Sequence, residues 1–264
     1  MSTAATKFLF ASVLLAWGAG SACRREGPPP VVDTGMASCI TGDTVALAAA
    51  DLDRLRASPF VNGMGGATRE LLAQYSKASK LLVGWNTHDL LIVLRGSFAA
   101  PPAGARRVGP GLAVSGAPER ILFAVAQHQS GHTGALDLIE YGSAIGGSST
   151  LWLAVRGGRM LPLSGNVANL NHLLEDSDFA GAALDLGENA TLRFGARGKT
   201  EESAQTLEER LRGFLTLAGE AEIHRPELAR LFGTAQIERS GRAVSATLSA
   251  PPDLLAKLLS DLAR

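Results

Sequence analysis

The chain has 264 residues, 46% of them hydrophobic and 19% charged, with 25 basic and 25 acidic side chains. That apolar content excludes a disordered chain, and the length suffices for one large or two small domains with a real core. The charge balance excludes a global field drawing the protein to nucleic acid or anionic lipid, so no nucleic-acid partner is expected.

Lys7 precedes an uncharged run from Phe8 to Ala22. About 15 residues falls short of the roughly 20 that a membrane-spanning helix needs and suits the apolar part of a secretory signal. The run ends in small residues, Gly18-Ala19-Gly20-Ser21-Ala22, followed by Cys23. Gly20-Ser21-Ala22-Cys23 resembles a bacterial lipobox, with Gly20 where Leu is usual. The resemblance covers only the start of the chain. It implies that residues 1–22 are a signal peptide and that Cys23 is lipidated and becomes the new N-terminus. The protein is then exported and anchored to a membrane of the bacterial cell envelope, on the periplasmic side or at the surface. Several acyl chains give stable anchoring. Plain secretion with an ordinary Cys23 thiol, and an uncleaved anchor, are the alternatives.

Residues 23–41 read as a tether, with Pro28-Pro29-Pro30 and no periodicity. Two cysteines can pair in an oxidising compartment. With Cys23 acylated, Cys39 is a free thiol near the domain edge.

Residues 42–130 read as a first α+β unit. Thr44–Ala48 is a strand, and Asp51 starts a short helix that stops near Pro59. Gly63-Met64-Gly65-Gly66 is a break between helices; it lacks the lysine and the preceding strand of a phosphate loop. Thr68 caps a helix from Arg69 to Tyr75. Lys80–Gly96 is a hairpin turning at Asn86-Thr87-His88-Asp89. Trp85 shares strand parity with Leu81 and Val83, which assigns it to core packing. A second hairpin turns at Gly109-Pro110-Gly111, and Pro118 opens a helix to about His128. His128 and His132 have a metal-ligand spacing only if both lie on one helix. Ser130 and Gly131 interrupt it, so no metal and no cofactor are expected.

Residues 131–149 read as a connector with a helix from Gly134 to Ser143. Residues 150–264 read as a second α+β unit. Its elements are a strand Thr150–Arg156, a helix Asn166–Glu175, a hairpin turning at Gly187-Glu188-Asn189, helices Thr200–Ala218 and Pro226–Phe232, a hairpin turning at Ser240-Gly241, and a final helix from Pro251. Ala117-Pro118-Glu119 and Ala250-Pro251-Pro252 both follow a hairpin and open a helix. Arg95-Gly96 and Arg197-Gly198 both close one. The expectation is therefore an α+β fold of two tandem strand-helix-hairpin-hairpin-helix repeats. They form an antiparallel sheet with helices mainly on one face.

An open face should be polar at every second position. Thr191, Arg193 and Arg197, Gln236 and Glu238, and Ser245, Thr247 and Ser249 meet that condition, and Trp152 shares the parity of Thr150 and Arg156. The candidate binding face is Trp152, Arg193, Arg197, Gln236 and Thr247. In the first hairpin both parities are apolar, so it should be central, covered on both sides or part of an interface.

GxSxG, SxxK, HExxH, CxxC and GxGxxG are all absent. The whole arrangement resembles bacterial cell-envelope lipoproteins of unknown function, which implies location and no activity. The expectation is a membrane-tethered, non-catalytic binding or scaffold module for an envelope protein or ligand. One alternative is an envelope hydrolase with a non-standard site drawing on His88, His128 or His172. Another is a carrier for a small or lipidic ligand in an apolar cavity between helices and sheet.

Overall fold

A computed structural model describes residues 30–63, 66–159, 171–222 and 224–262. The leader with Cys23, the Met64-Gly65 step and the helix start at 166–170 lie outside the described residues. In chain order the helices are α1 (Thr34–Ala37), α2 (Leu52–Ala57), α3 (Gly66–Gln74), α4 (Pro118–Ser130), α5 (Leu136–Gly146), α6 (Asn171–Glu175), α7 (Glu201–Ala221), α8 (Pro226–Gly233) and α9 (Pro252–Leu262). A 3-10 turn spans Pro59–Gly63. The strands are β1 (Ala46–Asp51), β2 (Ala78–Trp85), β3 (Leu90–Gly96), β4 (Ala105–Gly109), β5 (Leu112–Gly116), β6 (Leu151–Arg156), β7 (Ser177–Leu186), β8 (Ala190–Gly198), β9 (Gln236–Ser240) and β10 (Ala243–Ala250).

Local chemistry places these boundaries. The Asp51 carboxylate accepts the Arg54 backbone N–H and starts α2; the Thr200 hydroxyl accepts that of Ser203 and starts α7. Asn86 Oδ1 accepts the backbone N–H groups of His88 and Asp89, which shapes the first hairpin turn. The last hairpin turns on Gly241, at φ 54, where a side chain would be strained.

All ten strands join one antiparallel sheet, an α+β fold, in the order β4-β5-β3-β2-β1-β6-β7-β8-β10-β9. Outward from the β1–β6 contact, the order is β1, β2, β3, β5, β4 on one side and β6, β7, β8, β10, β9 on the other. Both sides therefore carry their strands in one sequence-relative order.

Helices lie on both faces, with most of them on one. Leu52, Phe60, Leu173, Leu207, Leu228 and Leu255 bring α2, the 3-10 turn, α6, α7, α8 and α9 onto what we term the α7 face. Met36, Ile40, Ala124 and Leu138 bring α1, α4 and α5 onto the opposite α5 face. The first hairpin is buried on its α5 face by Leu82, Leu91 and Val93; on its α7 face Leu94 is buried, while Leu90 near the turn is 52% exposed.

The tether expected to reach residue 41 instead joins the core from Val31 onward. Val31, Met36, Cys39 and Ile40 are buried against the α5 face. The Asp33 carboxylate caps α1 and takes two hydrogen bonds from Arg95, at 2.6 and 2.8 Å, which pins the segment to β3. Proline content hid this segment, because its apolar residues are too few to show a period. Cys39 is consequently a buried thiol rather than one at the domain edge, and burial pushes its pKa up to about 12.

Candidate functional site

One line of register partners crosses the α5 face from edge to edge. It reads Arg106, Val114, Val93, Leu82, Ala49, Trp152, Ala183, Arg193, Thr247, Gln236. Four of the five residues expected to form a binding face therefore share one row. Arg197 lies on the same face, two positions past Gly195 on β8.

Sharing a face does not make them one site. Trp152 is only 3% exposed, because α5 lies directly over it. A Cβ at Gly142 would overlap the Trp152 ring, so glycine lets α5 approach this closely. Trp152 is thus a core residue and leaves the candidate face. Arg193 donates to Ser149 Oγ at 2.9 Å. Arg197 lies 4.8 Å from the Phe179 ring centroid, and Phe179 stacks on Tyr141 of α5 at 5.2 Å. The Asp178 carboxylate lies 3.7 Å from Arg197 Nε. Both arginines border α5, whereas Gln236, Ser245 and Ser249 are exposed and Thr247 is half-buried beyond it. What remains is a flat polar strip on β10 and β9.

The three histidines are not brought together. His88 is exposed at the first hairpin turn, His172 lies on α6 within 3.7 Å of Glu175, and His128 on α4 meets Ser38 Oγ through Nδ1 at 2.7 Å. Ser38 also donates to the Gly35 carbonyl and is 8% exposed, so this Ser–His contact sits inside the packing of α1 against α4.

One concave feature lies on the α7 face, over the middle of the sheet. A groove of about 340 Å³ runs across β2, β1, β6, β7 and β8. Its floor is Ala48, Ala50, Val83, Leu151, Leu153 and Ala182, with Leu81, Leu184 and Leu192 beside them. Leu153 is 39% exposed there, unusual for a central strand. The volume lies at the low end of the roughly 300–1,000 Å³ of ligand sites. Arg54 of α2 donates to the Ser148 carbonyl and pairs with Asp185, 2.6 Å away. Sequence periodicity missed the groove. Its signal is compositional: β1 reads ALAAAD and β7 reads SDFAGAALDL. Alanine is disfavoured in strands, and in central strands its short side chain leaves the floor low.

A second cavity, about 450 Å³, opens between α4 and the Thr41–Asp43 turn. There Arg120, 5% exposed, donates to Asp43 Oδ2 at 2.7 Å and to Thr41 Oγ1 at 2.9 Å. Burial raises the Asp43 pKa, but hydrogen bonds from Asn86, Thr41 and Arg120 outweigh burial and hold it at about 2.

Among the described residues, no group of three or more His, Cys, Asp and Glu is placed to hold a metal, and no helix is long and apolar enough to cross a membrane.

Comparison with protein-family models and with curated proteins gives no match. Among solved structures, the fold is similar to that of TP0453. Crystal form I of TP0453 aligns at TM-score 0.52 and 10% identity over 88% of this chain and 99% of that one. Crystal form III gives 0.53 and 9% over 87% and 98%, and form IV gives 0.51 and 8% over 85% and 96%. The likeness spans nearly the whole of both chains and is one of fold.

Proposed function

We propose that the protein is a non-catalytic binding module that holds the aliphatic part of a small or lipidic ligand in the groove of the α7 face. The observation that carries this reading is the groove's lining: it is apolar throughout, Ala, Leu and Val with Trp152, concave, and set where a sheet would ordinarily be filled by large side chains. A polar metabolite would lose its water there without gaining partners. An aliphatic chain gains roughly 0.8 kcal/mol per buried methylene. A hydrolase has no comparable support, since the histidines lie on three separate elements.

The lipobox resemblance at Gly20–Cys23 supports export and anchoring through an acylated Cys23. A tethered carrier then works at a membrane of the bacterial envelope, on the periplasmic side or at the surface. The matching strand orders on the two sides of the β1–β6 contact support reading the sheet as two copies of one unit. A scaffold role is the second reading, favoured by the uncovered strip carrying Gln236 and Thr247. Unchanged pull-down partners after substitution of Arg193, Arg197, Gln236 and Thr247 would remove it.

Native mass spectrometry of protein purified from envelope membranes tests the main reading. Wild type should carry an apolar ligand that Leu153→Glu lacks. Ligand-free wild type, or a ligand retained by the variant, would refute the groove as its site. Cys23→Ala should lose the mobility shift of acylation and leave the membrane fraction.

A further inference from the structure

The α4 cavity differs in chemistry from the groove. Arg120, in the first turn of α4, has two of its nitrogens bonded to Asp43 and Thr41, while its Nε–H has no partner. Unmet donors on buried side chains are rare in folded proteins and call for an explanation. Asp43 is half exposed, and its carboxylate accepts from Thr41, Arg120 and Asn86. That leaves one of about four acceptor positions open. Gln127, two helical turns beyond Arg120 on the cavity wall, uses its amide N–H on the His132 carbonyl at 2.6 Å. Its amide oxygen receives no hydrogen bond among the described residues. Phe123, 60% exposed, and Ala126 supply an apolar flank.

Arg120 and Asp43 cancel in net charge. A plain anion or a plain cation therefore meets one partner and one repelling group, whereas a ligand with both charges meets a complement for each. We propose that this cavity binds a zwitterionic small molecule of the α-amino acid class. Its carboxylate faces the Arg120 guanidinium. Its ammonium lies between Asp43 and the Gln127 oxygen, and its apolar side chain rests on Phe123 and Ala126. The proposal is independent of the groove, which lies on the opposite face of the sheet.

Calorimetric titration of the full chain with three matched probes tests it. Leucine carries both charges, 4-methylpentanoate only the carboxylate, and 3-methylbutylamine only the ammonium. Leucine should bind saturably at one site, and each single-charge probe at least about tenfold more weakly, the loss of one charged contact. Phe123→Ala removes an exposed side chain, so the fold is kept, and should weaken leucine severalfold. Leu153→Glu in the groove should leave leucine binding unchanged. Equal affinity for the three probes, no leucine binding, or leucine binding lost in Leu153→Glu but kept in Phe123→Ala would each overturn the proposal.

Discussion

In the first half of the chain the helix after the last hairpin, α4, lies on the α5 face; in the second half the helix in the same position, α9, lies on the α7 face. The strands that precede them account for the difference. In β5, Leu112, Ala113 and Val114 are consecutive, apolar and buried, so that strand accepts cover on both sides. In β10, Val244, Ala246, Leu248 and Ala250 are buried and the residues between them are polar or small, so only the α7 face offers apolar surface. The row through Trp152 shows the contrast side by side. Val93 and Val114 occupy it on one side, and Arg193 and Thr247 at the matching places on the other. One strand order can therefore carry two helix arrangements, chosen by strand pattern.

This contrast can be broken at its midpoint. Trp152→Ala should destabilise the protein by about 3–5 kcal/mol, because α5 cannot follow the lost ring into the cavity. Urea unfolding would show it, and a loss under about 1 kcal/mol would mean that the side chain is solvent-facing after all. The matched pair Val114→Thr and Thr247→Val sharpens the contrast. The first buries a hydroxyl beneath α4 and should cost about 1–3 kcal/mol. The second should lie within about 0.5 kcal/mol of wild type. Equal effects would show that the two ends of the row are equally covered.

A smaller effect concerns how α4 is pinned. Asp43, with its pKa held at about 2, titrates below its unfolded value near 3.9. Its contribution is thus complete above about pH 4 and is lost as pH falls through about 2. The stability gap between wild type and Asp43→Asn, read from urea midpoints, should be steady from about pH 7 to 5 and close near pH 2. A gap constant throughout would show that Asp43 does not hold Arg120 through its charge.

Much of the fold was legible. The hairpins followed from alternation and turn residues, and Pro118, Pro226 and Thr200 marked helix starts that the structure keeps. The strip on β10 and β9 was legible because one solvated face leaves a period of two. Trp152 was not, because parity fixes the face of a strand residue and cannot show whether a helix distant in sequence covers it. The α1 segment escaped for a related reason: Val31, Met36 and Ile40 find their partners only after β3 and α5 are assembled. The groove was hidden because it is made by what alanines omit, summed over five strands that are adjacent only in the folded sheet.

Titration with the neutral apolar fluorophore N-phenylnaphthylamine tests the central claim most directly. Wild type should enhance its emission saturably and with one-site behaviour. Leu153→Glu should weaken that binding at least about tenfold, and Thr247→Val on the opposite face should leave it unchanged. Equal titration curves for wild type and Leu153→Glu would contradict the groove as the binding site.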